Sequence, residues 1–326
     1  MMPLPQTSPT LPRRHRLMRA LHSGIVLALA GYAFFSISDA CSKGLAGRVD
    51  PFEVAFFGGV FGILILPFIR QKGESYSVMF RTSHPWMWLL RAVSVFAATA
   101  SSVMAFMLLP MPEALSLMFL MPFFVTIISV VALKEAVSVI TWVSVGLGFL
   151  GVLIVLRPGA HALHLGHLCA VISALTSAIS VIAYRFAGTQ TSRLALFAPS
   201  LIGPLVGDSI LMAVHAHFPH GWAVWSLLFG YGFLAALGQL FMMLATAVTP
   251  ANRVALPQYS QMIWVVAFSY LIFHQPLDGW DIVGIIVVTS SGLVNWVCQK
   301  IRYEHMLLRE WWRRYRFGPP PPMKNP

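Results

Sequence analysis

The chain has 326 residues, of which 57% are hydrophobic and only 10% are Asp, Glu, Lys or Arg. A soluble domain carries roughly 25% charged residues, because polar groups must cover its surface. That deficit excludes an ordinary soluble protein, and the net charge of +11 has to be read through its placement rather than as a nucleic-acid signature. Apolar windows long enough to cross about 30 Å of hydrocarbon as helices recur along the chain. Ten segments are predicted, at 23–42, 52–69, 86–108, 112–132, 139–156, 167–185, 194–214, 224–246, 251–273 and 281–299. Short connectors with turn chemistry separate them (GRVDP, LRPGAH, HFPHGW, HQPLDGW), and none is long enough to hold a soluble domain. The fold class expected is an all-α membrane protein.

The first segment follows Arg13, Arg14, Arg16 and Arg19, as a signal peptide would. The region after it, SISDAC, lacks the aliphatic residue that a lipoprotein cleavage site wants, so the segment is read as the first transmembrane helix. Placing the N-terminus in the cytoplasm puts 19 of the 22 Lys and Arg residues on the cytoplasmic side, leaving Lys43, Arg48 and Arg157 on the other. This is a strong positive-inside bias. It places the chain in a bacterial inner membrane with both termini cytoplasmic, and it explains the charge without nucleic acid. The tail REWWRRYRF (309–317) suits an anionic leaflet surface and equally a disordered basic end.

The two halves share cue residues. With residue 110 laid on residue 250, Phe119 meets Tyr259, Phe124 meets Trp264, Val125 meets Val265, Ser129 meets Ser269 and Glu135 meets Gln275. Spaced glycines follow in both copies (Gly146, Gly148, Gly151; Gly284, Gly292). Five helices per half is an odd number, so the second copy enters the membrane inverted, as in many transporters. Consistent with that inversion, Glu113 precedes one copy of the fourth helix and Arg253 the other.

Residues 119–159, FLMPFFVTIISVVALKEAVSVITWVSVGLGFLGVLIVLRPG, resemble the end of an EamA repeat of the drug/metabolite transporter superfamily. Residues 256–293, LPQYSQMIWVVAFSYLIFHQPLDGWDIVGIIVVTSSGL, resemble its second copy. The resemblance implies ten helices in two inverted five-helix repeats, at 23–158 and 163–300, flanked by a cytoplasmic tail (1–22) and a basic tail (301–326). It further implies a central cavity and alternating-access transport of a small organic molecule such as an amino acid, vitamin or nucleoside-like compound. One position departs from the pattern: the helix-end Glu of the first copy, Glu135, is Gln275 in the second.

No GxSxG, HExxH, P-loop or CxxC occurs, so no enzyme and no cofactor is expected. Cys41, Cys169 and Cys298 all lie within spans and offer no metal or disulfide spacing. HALHLGH and HAHFPH place His161, His164, His167, His215, His217 and His220 in or near loops on the predicted outer side, without the Cys or carboxylate that a metal site would add. The expected partners are a small organic substrate and the lipid bilayer, with protons or a counter-substrate open as coupling partners. A non-transporting membrane sensor or assembly subunit is the alternative, and an integral membrane enzyme stands third.

Ionisable groups inside spans cost roughly 2.5 kcal/mol or more at a helix centre and must face protein or water. Asp39 and Lys43 are spaced i, i+4 and can share one helix face; their readings are substrate contact, proton coupling or a structural ion pair. Arg91, Asp208 and Arg253 are the other charged candidates, Arg91 also reading as a snorkelling anchor. In PQYSQMIW, Gln258, Ser260, Gln261 and Trp264 fall with Pro257 on one arc of about 160°. Met262, Ile263 and Val266 lie across from it. Tyr259, also on that far side, stays among the candidate cavity residues with the arc. This polar wall reads as cavity lining or as hydrogen-bonding glue between helices. Its counterpart in the first half is Met118, Phe119 and Met121, a soft apolar wall if the repeats are symmetric and packing otherwise.

Overall fold

The computed structural model describes residues 13–71, 73–82, 84–134, 137–156, 164–187, 192–213, 219–248, 258, 260–275, 277–294 and 297–298. Every regular element among them is helical. In chain order these are α1 (Arg13–Gly44), α2 (Pro51–Ile69), α3 (Pro85–Leu108), α4 (Met111–Ala132), α5 (Val139–Leu156), α6 (Leu165–Ala187), α7 (Arg193–Met212), α8 (Trp222–Val248), α9 (Ser260–Leu271) and α10 (Gly279–Val294). Among the described residues seven are long and apolar enough to cross a membrane, while α5, α9 and α10 are apolar but shorter. The outer surface keeps large apolar side chains in the open, with Phe68, Val131 and Ile263 each about 70% exposed or more. A soluble surface would not tolerate so many; lipid would.

Local chemistry sets the helix ends. At the start of α2 the Asp50 carboxylate accepts from the Phe52 N–H at 2.9 Å, Pro51 occupies the first turn and Glu53 adds a negative charge there. Ser192 caps α7 by accepting from Ala195 N–H at 3.1 Å. Within α4 the helix breaks between Met118 and Met121. Pro122 has no N–H to offer the Met118 carbonyl, so the ladder cannot run through.

The halves are related by contacts as well as by sequence. Among the described residues, the two non-glycine residues with positive φ are Lys134 (52°) and His274 (50°), which are 140 positions apart. Each ends its helix in the left-handed conformation, one residue before Glu135 and Gln275. Glu135 lies outside the described residues. Gln275 closes the end of α9 twice over: its N–H donates to Ser269 O at 3.0 Å, and its Oε1 accepts from Ser269 Oγ at 3.3 Å.

The most extensive interhelix packing pairs α1 with α8 and α3 with α6, which are equivalent pairs when the halves are exchanged. Each pair is tied by a serine-to-carbonyl hydrogen bond: Ser38 Oγ donates to Tyr231 O at 2.7 Å, and Ser173 Oγ donates to Ala98 O at 3.1 Å. At the α5–α10 crossing a Cβ on Gly148 would meet Ser291 Oγ at 3.0 Å, and one on Gly151 would meet Val288 N at 2.7 Å. The 140-residue offset carries one of these contacts into the other, and their register makes α5 and α10 antiparallel, as equivalent helices of inverted repeats must be. Small residues there let two backbones approach without a side chain between them.

Candidate functional site

α1, α4, α6 and α9 converge on one cluster, whose buried members include Phe119, Leu120, Ala174, Met262 and Val265. Met118, Met121, Phe124, Ala40 and Cys169 pack against it half-buried. The break in α4 therefore lies within the largest buried apolar cluster among the described residues rather than at its surface.

At the edge of this cluster Gln261 Nε2 donates to Asp39 Oδ2 at 3.0 Å. Gln261 is 8% exposed, and Asp39 is half-buried. The pair joins the first helix of one half to the fourth helix of the other. Under the 140-residue offset Gln261 corresponds to Met121, which packs half-buried against the same cluster. A carboxylate–amide pair thus stands on one side of the region, while the position equivalent to Gln261 carries a thioether.

The remaining candidate residues distribute as follows. Lys43 shares a helix face with Asp39, but its Nζ donates to Leu109 O at 2.6 Å, fastening the end of α1 to the α3–α4 corner. Arg91 is buried and its Nη2 donates to Ser200 Oγ of α7 at 3.1 Å; it is not held at an interface by its head group. Asp208 is fully buried in α7. Gln258 and Ser260 are half-buried. Tyr259, Arg253 and Pro257 lie outside the described residues.

The buried face of α9 carries Gln261, Met262, Val265 and Ser269. Trp264 is instead 44% exposed beside Ile263, tilted against Phe268. The expected polar arc and the observed buried face therefore differ by a rotation of the helix. Met262 and Val265 interlock with Phe119 and Leu120 of α4 in the buried cluster, and this van der Waals packing, with the Gln261–Asp39 bond, sets the orientation.

Two features near the same end of the bundle gave no signal in the sequence. His167 Nδ1 accepts from His164 N–H at 2.9 Å, which leaves the ring proton on Nε2 to donate to Glu113 Oε1 at 2.9 Å. This bond links the start of α6 to the start of α4. Nothing in the sequence pairs residues 54 positions apart; only the proximity of two helix starts does. The second feature is a cleft of about 640 Å³ whose lining includes Arg48, Asp50, Glu53, Met104, Met107 and His220, within the size range of small-molecule sites. Among the described residues no three His, Cys, Asp or Glu side chains gather into a metal position.

An antiparallel two-fold bundle with a broken helix beside a carboxylate–amide pair is the architecture of a carrier, and the sequence comparisons name its family. The chain matches the EamA-like transporter family twice, over residues 22–157 and 164–296. It belongs to that family. Among similar proteins, the S-adenosylmethionine uptake transporter of Rickettsia prowazekii is 26% identical over 83% of this chain and 91% of its own length. The riboflavin transporter of Vibrio cholerae is 29% identical, over 74% and 82% respectively. The pseudopaline exporter of Pseudomonas aeruginosa is 26% identical, over 84% and 96%. A solved crystal structure shares the fold with a TM-score of 0.59 at 16% identity, covering 84% of this chain and 96% of the other. This EamA protein is a multi-pass membrane transporter of a small organic metabolite and not an enzyme.

Proposed function

We propose that the chain is a secondary carrier that moves its substrate across the inner membrane by alternating access, through a site between the α1–α9 pair and the broken α4. The observation that carries this reading is the Asp39–Gln261 contact at 3.0 Å, set beside Met118, Phe119 and Met121 where α4 is interrupted. Discontinuous helices at the interface between repeats are where such carriers hold their substrates. Ten spans, both termini cytoplasmic and repeats at 23–158 and 163–300 complete the arrangement. In that orientation Lys43–Leu109 and His167–Glu113 tie α1, α4 and α6 together at the outer end, and the cleft around Arg48 and His220 opens there.

The chemistry of the site favours an amphipathic molecule with a cationic or hydrogen-bond-donating group for Asp39, an acceptor or donor for Gln261, and an aromatic or thioether portion for the methionine and phenylalanine wall. Gln258, Tyr259 and Ser260 extend the polar wall, and Trp264 stands at its margin. S-adenosylmethionine, the cargo named for one relative, has each of these features and is the first probe to use. Purified protein in liposomes is given radiolabelled S-adenosylmethionine, with riboflavin as a second probe. Uptake that Gln261→Ala abolishes while membrane insertion stays normal supports the site. Uptake of inorganic ions or small sugars only would contradict it.

A further inference from the structure

Asp208 has no place in that site. Its side chain is 0% exposed, and neither carboxyl oxygen has a hydrogen-bond partner. Buried polar groups are nearly always bonded, and leaving a carboxylate bare in an apolar interior costs several kcal/mol at the least. A structural role would supply partners, and among the described residues none is hydrogen-bonded to it.

The surroundings are specific. Gly207, next to Asp208, packs on the Phe96 ring of α3. α2 lies alongside, with Leu205 of α7 covering Gly59 and the Tyr231 ring of α8 lying over Gly58, where any Cβ would overlap it. The missing side chain lets the Tyr231 ring of α8 lie across α2, the helix that α7 packs on. The Tyr231 carbonyl also holds Ser38, the residue before Asp39. Of the other charged or titratable groups on the elements packed against α7, Arg91 of α3 is bonded to Ser200, eight residues before Asp208. Glu53 of α2 is buried near that helix's start, and Tyr76, in the short turn after α2, is exposed and meets Arg70. None is hydrogen-bonded to Asp208.

A bare carboxyl in this position is relieved by a metal cation or by a proton. A hard cation needs several oxygen ligands at once, and among the described residues no three His, Cys, Asp or Glu side chains gather around Asp208. We propose that Asp208 is a proton-binding site of the transport cycle, separate from the substrate site and linked to Asp39 through Tyr231. Enclosed between α2, α3 and α7 it holds the proton as the neutral acid. When the α2–α7 seam opens, the O–H bond breaks, the proton passes to water as hydronium, and the carboxylate remains in the opened seam. The cyclic role rests on the transporter reading; the proton on Asp208 does not.

Infrared spectroscopy of the full-length protein in lipid nanodiscs at neutral pH, with no substrate, tests the proton directly. A protonated-carboxyl C=O band is expected in the wild type and in Asp39→Asn, shifted by ¹³C-aspartate labelling and lost in Asp208→Asn. The labelled wild type needs no variant to fold, so a carboxyl region that labelling leaves unchanged overturns the proposal. So does a band that survives in folded Asp208→Asn. In liposomes, S-adenosylmethionine exchange should persist in Asp208→Asn while the response to an imposed pH gradient is lost; an equal response in both proteins overturns the coupling role. If the wild type carries no S-adenosylmethionine, the substrate assignment fails and the infrared result still decides the proton site.

Discussion

Replacing Gln261 with Ala removes the amide that holds Asp39 at 3.0 Å. A hydrogen bond to a charged group contributes about 1.5–3 kcal/mol, against about 0.5–1.5 kcal/mol for a neutral pair. Since about 1.4 kcal/mol is tenfold in a binding constant, losing a charge-assisted bond of that strength from the Gln261 amide to the substrate weakens binding by about ten- to 150-fold. Truncation also leaves space beside Met262 and Val265, both at most 2% exposed, so stability falls as well. Gln261→Glu separates these effects, because it keeps the volume and sets a second carboxyl against Asp39. The assay is concentration-dependent uptake of labelled S-adenosylmethionine in liposomes, with thermal unfolding of the same preparations alongside. The expected result is a large loss of apparent affinity in both variants with only a small change in unfolding temperature for Gln261→Glu. Wild-type uptake with a markedly lowered unfolding temperature would show that the pair is interhelical glue, and the reasoning would be refuted.

At the α5–α10 crossing, Gly151→Val drives a side chain into the Val288 backbone and the Gly284 carbonyl; overpacking of this kind costs about 1–3 kcal/mol and should appear as reduced thermal stability and poor recovery in detergent. Ser38→Ala and Ser173→Ala each remove one interhelical serine-to-carbonyl bond, so each should destabilise by about 0.6 kcal/mol, the membrane-protein average, in reversible unfolding. His274→Val puts a β-branched residue at φ 50° and should cost about 1–2 kcal/mol, whereas His274→Gly should be tolerated in the same assay. His167→Ala frees α6 from Glu113, and a cysteine pair across the α4 and α6 starts should then crosslink more slowly than in the wild-type background.

The repeat offset was legible because cue residues at helix ends survive where general identity does not. Lys134 and His274 differ chemically yet adopt one left-handed conformation, and the glycines of α5 and α10 mark a crossing that side chains would block. The apolar spans were legible because lipid leaves no other option for 18 or more hydrophobic residues. The rotation of α9 was not legible. A polar arc and a packed face compete on a short helix, and contacts with α1 and α4, absent from the local pattern, settle which wins. Lys43 was misleading for a similar reason: its i, i+4 spacing to Asp39 shows what can meet, while the unbonded carbonyl at the end of α3 shows what does. The His167–Glu113 bond and the seating of the Tyr231 ring over Gly58 depend wholly on tertiary placement.

The central claim is that the Asp39–Gln261 corner beside the α4 break is where a metabolite binds during transport. Uptake of labelled S-adenosylmethionine into liposomes by the wild type, Asp39→Asn and Gln261→Ala tests it most directly. The account predicts saturable wild-type uptake that both substitutions abolish or strongly weaken in folded, inserted protein. Saturable uptake that neither substitution alters would contradict it.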